Sequence, residues 1–307
     1  MSAGVQSLSV LENYFTYCRY QKNLDQKTLK AYKIDLQQFL SWTQFEIEVS
    51  RATMEQYIEL LVRKYKISTV KRKIAAIKAF YHYLAYEEII ASTPLDKIQL
   101  HFRQEVLLPR TIENSVLTKI FSAAYREKEQ AATIAEKGYT VRDIAVLELL
   151  FASGVRVSEL CSITCDALDL QSQVVLIKGK GSKERRIYLA TPQVVAALVE
   201  YGALRKRIGT NVPYFFLNRD GRRLSEQSVR RIINKYTRLA SQPGHYTPHM
   251  FRHSFATYLW DLCGDVYEVK EILGHSSIKT TERYVHASFE RQKRVLTAMH
   301  PRKMLKL

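Results

Sequence analysis

The sequence has few cysteines and no long apolar run. No stretch approaches the roughly 18 uninterrupted apolar residues of a membrane-spanning helix, and the opening MSAGVQSLSVLENYF has neither the basic start nor the apolar core of a secretory signal. We therefore expect a cytoplasmic protein. The 4 cysteines lack the Cys-x-x-Cys spacing of a zinc site, so we expect buried, reduced thiols and no bound metal. They are Cys18, Cys161, Cys165 and Cys263.

Signatures of nucleotide binding and of repeats are also absent. The chain contains no internal repeat, no low-complexity tract and no Gly-x-x-x-x-Gly-Lys-[Ser/Thr] P-loop. Its Gly179-Lys180-Gly181 turn lets the backbone approach a ligand closely, but such a turn by itself is weak evidence of binding. We therefore predict no cofactor.

What the sequence does have is an excess of positive charge. Lys and Arg number 47 and Asp and Glu 30, which gives a net charge of +17 over 307 residues. The first hundred residues contain 14 basic and 10 acidic side chains, so the remaining residues hold +13 of that total. This balance favours a polyanionic partner such as nucleic acid. A basic surface without a partner is the alternative.

The first hundred residues predict a small helical domain. Apolar side chains recur with helical periodicity after Asp25, which is placed as an N-cap, and further helices are predicted over Ser50–Tyr65 and Ser68–Tyr86. The beginning and polar side of the last helix carry basic residues that could lie on a phosphate backbone, with an ordinary solvated face as the alternative. These candidate DNA contacts are Lys71, Arg72 and Lys73.

Helical periodicity is lost between Ala91 and Arg110, where two prolines interrupt an extended stretch. This stretch is the best candidate for a linker, so we expect domains at 1–105 and 106–307. Beyond it, Val174–Lys178 and Arg185–Leu189 predict a hairpin within a mainly helical pattern. The expected fold class is mainly α, with a helical N-terminal domain and a mixed α/β second domain that contains a small antiparallel sheet.

A second basic cluster surrounds a helix that Ser225 can cap, after the turn Asn218–Gly221. A basic helix of this kind is suited to contacts with DNA phosphates and base edges. The candidate DNA contacts here are Arg222, Arg223, Arg230, Arg231 and Lys235.

Four separate segments carry side chains suited to phosphate chemistry: ASGVRVSEL, IKGKGSKERRIYL, TPHMFRHSFATYL and LGHSSIKTTERYVH. Taken singly, each is weak. An arginine and a glutamate three apart on a helix usually form an ion pair, and most of the 19 tyrosines must be packing or surface residues. The informative residues are Arg156, Glu159, Lys180, His249, Arg252, His275 and Tyr284.

Together, in this order and spacing, these residues other than Glu159 resemble the catalytic set of the tyrosine recombinase family. The N-terminal helical block, the LLPR segment and the ending His300-Pro301-Arg302 look like the Xer branch, the chromosome-resolving recombinases. The resemblance covers essentially the whole chain. One departure is the longer, charged segment Ala124–Tyr139, which we expect to be a surface insertion without catalytic consequence.

The chemistry that this set could perform is attack on a DNA phosphodiester. A tyrosine hydroxyl, with a pKa near 10, is a poor nucleophile at neutral pH and needs a neighbour to take its proton. Arg156 and Arg252 could each donate two parallel hydrogen bonds to phosphate oxygens and so stabilise the charge of the transition state. The resemblance makes Tyr284 the nucleophile.

The remaining residues of the set have supporting roles. The resemblance assigns the general acid that protonates the departing 5′ oxygen to Lys180, and His249 is the better candidate to assist the tyrosine proton. His275 would hydrogen-bond the phosphate, and Glu159 would orient the first arginine and its helix. This scheme requires neither a metal nor ATP.

The resemblance implies two domains that clamp duplex DNA, and four protomers on paired recombination sites. The protomers would be identical or paralogous, the tail Ser288–Leu307 would dock into a neighbouring protomer, and a cell-division DNA translocase would be a further partner. No membrane partner is implied. The alternatives are a mobile-element integrase or excisionase, a type IB topoisomerase or nickase, and a catalytically silent DNA-binding protein. The Xer-like helical N-terminus argues against the topoisomerase, and the complete set of catalytic positions argues against the silent protein.

Overall fold

The computed structural model describes residues 3–96, 98–100, 102, 110–179 and 184–274, with side chains from residue 7 onward. The chain divides into two compact units, Met1–Val106 and Leu107–Leu307. Three of the predicted catalytic residues and the predicted docking tail lie outside the described residues. These are Lys180, His275, Tyr284 and Ser288–Leu307.

The described part of the first unit is helical. Its helices are α1 (Ala3–Tyr20), α2 (Gln26–Trp42), α3 (Arg51–Lys64) and α4 (Ile67–Tyr86). Side-chain caps fix two of the starts: Asp25 accepts a hydrogen bond from the Thr28 backbone N–H at 2.9 Å, and Ser50 accepts one from the Thr53 N–H at 3.1 Å. The apolar sides meet in one core around α4, as the periodicity predicted.

The second unit is also mainly helical. Its described elements are α5 (Asn114–Gln130), α6 (Ile134–Ser153), α7 (Val157–Ser162), β1 (Leu168–Asp169), β2 (Val174–Lys178), β3 (Glu184–Tyr188), α8 (Pro192–Ile208), α9 (Glu226–Leu239), α10 (Pro248–Cys263) and α11 (Val266–Leu273). Helix α6 packs against α5, α8 and α10. Its consecutive residues Ala145, Val146 and Leu147 are fully buried. Consecutive buried positions face different sides of a helix, so the middle of α6 is surrounded by protein. Gly154 and Val155 connect its C-terminal end to the N-cap of α7.

The three described strands form one antiparallel sheet in the order β1-β2-β3. Val174 pairs with Tyr188 and Ile177 pairs with Arg185, so the predicted hairpin is present and its second strand is shifted by one residue. The short strand β1 was not predicted. Because side chains alternate along a strand, Arg185 lies on the same face of β3 as the buried Ile187. The predicted fold class, mainly helical with a small antiparallel sheet, is confirmed.

The segment Ala124–Tyr139 is mostly helix, since α5 continues to Gln130 and α6 begins at Ile134. Ala124 is fully buried, and the rest of the segment is exposed or half-buried. Its interpretation as a surface insertion stays a prediction. Of the cysteines, Cys18 and Cys161 are buried, whereas the other two are exposed. No helix in the described ranges is long and apolar enough to cross a membrane.

Candidate active site

The described candidates for catalysis come from two helix starts. Arg156 is the N-cap of α7 and Glu159 lies in its first turn, while His249 and Arg252 lie in the first two turns of α10. These starts belong to distant parts of the sequence, yet both lie beside the C-terminal end of α6. The described chain ends at Gly274, one residue before His275.

The side chain of Arg252 is buried between two helix ends. Arg252 is 2% exposed, its Nη1 donates to the carbonyl of Gly154 at 2.6 Å, and its Nη2 donates to the carbonyl of Leu273 at 2.8 Å. Gly154 follows α6, and Leu273 is the last residue of α11. Terminal carbonyls of a helix have no partner within it and carry partial negative charge. The Arg252 guanidinium therefore donates a hydrogen bond to one carbonyl at each helix end and links the two ends.

Glu159 fixes both the backbone and the side chain of Arg156. Its Oε2 accepts from the Arg156 backbone N–H at 2.9 Å, and its Oε1 accepts from Arg156 Nη1 at 2.8 Å. The glutamate side chain is 6% exposed and that of the arginine 40% exposed. Burial acts to raise the pKa of Glu159, but hydrogen bonds from Arg185 and from the Arg156 backbone outweigh it, so the pKa is lowered. Glu159 is thus a buried carboxylate that holds an exposed guanidinium.

Arg185 belongs to this cluster, although the sequence did not single it out. Its Nη1 and Nη2 donate to the two Glu159 oxygens at 3.2 and 2.8 Å, and its Nε donates to the carbonyl of Ile272 at 3.2 Å. A signal was present in the sequence. Strand alternation puts Arg185 on the face of Ile187, and an inward-facing arginine is rarely found without an acidic partner.

Two glycines let the helix ends meet. Gly154 and Gly274 end α6 and α11 with φ of 56° and 64°, the left-handed conformation that favours glycine at this position. A Cβ on Gly154 would lie 2.9 Å from Leu273 Cδ2, and one on Gly274 would lie 2.8 Å from Arg185 Nη1. Both positions therefore need glycine for its backbone freedom and for its size.

His249 lies at the surface on the first turn of α10. Pro248 precedes it at the first helical position, and Thr247 caps the helix, as the sequence predicted for Pro248. The His249 ring stacks on His253 with centroids 5.1 Å apart and an interplanar angle of 18°. An exposed imidazole on the same helix as the buried Arg252 can exchange protons with a ligand bound beside it.

The predicted DNA contacts of the first unit divide into surface and buried groups. Lys71 and Arg72 are exposed, and Arg72 also forms an ion pair with Asp35. Lys73 is instead 3% exposed, and its ammonium contacts Asp35 Oδ1 at 2.9 Å and Gln38 Oε1 at 2.5 Å. An ammonium buried with its counter-ion is satisfied inside the domain. Lys73 is thus not on the surface where the sequence analysis placed it.

The predicted DNA contacts of the second unit also differ in availability. Arg222, Arg230 and Arg231 are exposed, and Arg230 has a 3.5 Å ion pair with Glu226. Arg223 is also exposed and the Lys235 side chain is 40% exposed, but both bind groups of the domain as well. Arg223 donates to the carbonyl of Cys161 at 2.8 Å, and Lys235 pairs with Glu127 at 2.8 Å. Glu127 lies in the charged segment Ala124–Tyr139.

The described cluster is suited to binding an oxyanion. A partly exposed guanidinium stands on a turn that a buried carboxylate and two further arginines hold in place. Guanidinium groups recognise phosphate and carboxylate through paired hydrogen bonds, and rigid support improves such recognition. Among the described residues, no group of three or more His, Cys, Asp or Glu is placed to hold a metal ion.

Comparison with known proteins identifies the family. The model of the phage integrase family matches residues 123–291, and that of the phage integrase N-terminal SAM-like domain matches residues 11–88. A tyrosine recombinase of Agathobacter rectalis is 44% identical over 295 residues, which cover 95% of this chain and 96% of the relative. The tyrosine recombinase XerC of Leptospira interrogans serovar copenhageni is 31% identical over 94% of this chain and 92% of its own.

The fold has solved counterparts. The crystal structure of XerH site-specific recombinase bound to palindromic difH substrate matches 94% of this chain and 83% of its own, with a TM-score of 0.75 and 21% identity. At that identity the match concerns the fold alone. The family matches, together with the 44% identical relative, show that the chain belongs to the phage integrase family and, within it, to the tyrosine recombinases, enzymes of DNA strand exchange.

Proposed function

We propose that this protein is a Xer-like site-specific recombinase that cleaves and rejoins DNA through a 3′-phosphotyrosyl bond to Tyr284. The observation that carries the proposal is the junction of the α6 and α11 ends. There Arg252 donates to the carbonyl of Gly154, two residues before Arg156, and to the carbonyl of Leu273, the last residue of α11. Gly274, the C-cap of α11, directly precedes the segment of His275 and Tyr284. Family membership supports a DNA phosphate as the ligand of that junction.

Cleavage begins at the Tyr284 hydroxyl. Its oxygen attacks the scissile phosphorus, His249 assists removal of its proton, and the bond to the 5′ oxygen of the next nucleotide breaks. Arg156 and Arg252 stabilise the negative charge on the non-bridging oxygens. Arg156 is suited to this because one of its Nη atoms is held by Glu159 while its side chain remains 40% exposed.

The departing oxygen is strongly basic, so Lys180 protonates it as the general acid, and His275 donates a hydrogen bond to the phosphate. The products are a phosphotyrosyl bond and a free 5′ hydroxyl. A 5′ hydroxyl from a second strand then attacks the phosphotyrosine, the tyrosine recovers its proton, and the strands are exchanged. Because the covalent bond conserves the energy of the diester, the reaction needs no ATP. The arginines would stabilise the charge and Lys180 would supply the proton, so this scheme requires no metal.

The biological role that we propose is resolution of joined chromosomes, which the XerC relatives support over nearly their whole length. Four protomers, identical or paralogous, would act on paired sites in duplex DNA. A lambda integrase tetramer bound to a Holliday junction supports such an assembly through its fold, with a TM-score of 0.66. The Xer branch adds a cell-division DNA translocase as a partner. A DNA substrate also supports a cytoplasmic location.

One experiment separates recombinase chemistry from a topoisomerase and from a silent DNA-binding protein. Duplexes that bind the protein are selected from a random-sequence pool, and a supercoiled plasmid carrying two copies is incubated with the protein without metal or ATP. Covalent capture together with exchange between the copies supports the proposal. Relaxation without exchange indicates a topoisomerase, and binding without either product indicates a silent DNA-binding protein, and both outcomes contradict the proposal.

A further inference from the structure

The C-terminal end of α11 is held by two arginines from different elements. Arg252 of α10 donates to the carbonyl of Leu273 at 2.8 Å, and Arg185 of β3 donates to that of Ile272 at 3.2 Å. Cations stabilise a helix C-terminus because its last carbonyls lack partners and carry partial negative charge. Two guanidiniums on adjacent carbonyls fix the point at which the chain leaves α11.

Both arginines also reach the α6–α7 turn that carries Arg156. Arg252 donates to Gly154 at 2.6 Å, and Arg185 makes its paired contacts with Glu159 at 2.8 and 3.2 Å. The two guanidiniums thus bridge the same two parts of the chain side by side. Arg252 belongs to the proposed catalytic set, whereas Arg185 has no role in the mechanism as described so far.

The Glu159 carboxylate accepts hydrogen bonds from two arginine side chains, those of Arg156 and Arg185. The Arg185 side chain, which is 13% exposed, donates to both carboxylate oxygens. The Arg156 side chain contacts only Oε1, through Nη1, and the Arg156 backbone N–H donates to Oε2. A carboxylate and a guanidinium prefer a two-bond, parallel pair. Without Arg185, Glu159 could turn and form that pair with Arg156, which would take both Nη groups of Arg156 away from a phosphate.

We propose that Arg185 is a positioning residue for strand cleavage: it occupies the Glu159 carboxylate, so that Arg156 keeps donors for the scissile phosphate. This inference rests on the proposed function, because the phosphate is the ligand of that site. It assigns Arg185 no contact with DNA. Its effect should therefore appear in the rate of the chemical step and not in the affinity for DNA.

The adjacent residue provides a matched control. Arg186 is on the opposite face of β3 and is exposed. Arg185→Gln and Arg186→Gln remove the same charge one position apart, but only the first removes the bridge to Glu159. Arg185→Lys keeps the charge and cannot make the paired contact with the carboxylate while reaching the Ile272 carbonyl. It is also the second variant if Arg185→Gln does not fold.

The measurement is the single-turnover rate of covalent adduct formation at saturating protein, on the duplex selected by wild-type binding, with DNA affinity measured in parallel. We expect Arg185→Gln and Arg185→Lys to slow adduct formation by about 10- to 100-fold, the usual effect of removing a group that orients a reacting residue. Arg186→Gln should keep the wild-type rate. The affinity of Arg185→Gln for DNA should be no lower than that of Arg186→Gln.

A double variant tests whether Arg185 acts through Glu159. If it does, the rate of Arg185→Gln with Glu159→Gln should be no lower than that of the slower single variant, because the competing carboxylate is gone. Losses that multiply would mean independent roles and would overturn the inference, as would a wild-type rate in both Arg185 variants. Failure of the wild-type protein to form any adduct would instead contradict the proposed function.

Discussion

Replacing Glu159 with glutamine removes one charge from the centre of the candidate site and keeps the shape of the side chain. The carboxylate accepts hydrogen bonds from the Arg156 backbone N–H, from Arg156 Nη1 and from both Nη atoms of Arg185. The glutamine amide has one accepting oxygen, and its nitrogen is a donor. Whichever way it is turned, a donor must face another donor.

The structure sets the size of the effect. The Glu159 side chain is 6% exposed and that of Arg185 is 13% exposed, so the pair lies in a region where solvent screens little. Removing one partner of a buried ion pair typically costs about 3 to 5 kcal/mol, because the other charge stays buried. For a unit of this size, each kcal/mol lowers Tm by about 2 to 4 °C. We therefore expect Glu159→Gln to lower Tm by about 10 °C at neutral pH.

The pH dependence tests whether the charge is responsible. The pKa of Glu159 is lowered in the folded protein, so its stabilisation is present above the unfolded pKa of about 4.3 and is lost as the pH falls through the folded pKa. Denaturant unfolding followed by circular dichroism should show a constant gap in the free energy of unfolding between wild type and variant from about pH 5 to pH 8. The gap in free energy of unfolding should shrink only as the pH falls from the unfolded pKa through the lowered folded pKa, where wild type also becomes neutral at this position.

Glu129→Gln is the matched control, since Glu129 is an exposed carboxylate on α5. Its free energy of unfolding should stay within about 0.5 kcal/mol of that of wild type at every pH. A gap for Glu159→Gln that stays unchanged at low pH would refute the reasoning, because an effect that survives protonation cannot come from the carboxylate charge. A gap below about 1 kcal/mol at pH 7 would also refute it, by showing that the pair is solvated.

Three further predictions concern neighbouring features. Gly274→Ala should destabilise the protein by at least about 1 to 2 kcal/mol from its positive φ, more than Gly138→Ala, whose Cβ meets nothing within 4 Å; equal unfolding midpoints would contradict this. Lys180→Ala should cleave slowly, and a substrate with sulfur at the scissile 5′ bridging position should largely restore the rate, since sulfur leaves without a proton; equal impairment on that substrate would remove Lys180 as the general acid. Truncation after Ala287 should leave binding to a single site intact and abolish cooperative binding to paired sites and exchange, and unchanged cooperativity would show that the tail does not couple protomers.

Features set by local sequence could be predicted. Helix starts at Asp25 and Ser225 depend on a side chain that accepts from a backbone N–H three residues on, and both caps are present. The hairpin followed from two short apolar runs on either side of a glycine turn. The candidate catalytic set was visible as a spacing pattern, and its roles stay a prediction. The structure adds a contact that no single segment encodes: Arg252 donates to the carbonyl of Gly154, two residues before Arg156.

Features set by distant partners were missed. Lys73 is buried because Asp35, on another helix, supplies its counter-ion. The helical spacing of Val70, Ile77 and Phe80 already placed position 73 on the buried face, but a lysine there reads as exposed until its partner is known. Arg185 is a similar case, because its importance depends on a carbonyl 87 residues away.

The most direct test of the account is to locate the covalent bond. Wild-type protein and Tyr284→Phe are incubated with the selected duplex, adducts are trapped by denaturation, and the DNA-linked peptide from the wild type is sequenced by mass spectrometry. The substitution removes one oxygen and keeps the ring, so both proteins should bind DNA with equal affinity, and the wild type alone should form an adduct, linked through Tyr284. An adduct that persists in Tyr284→Phe, or a wild-type link at any other residue, would contradict the central claim.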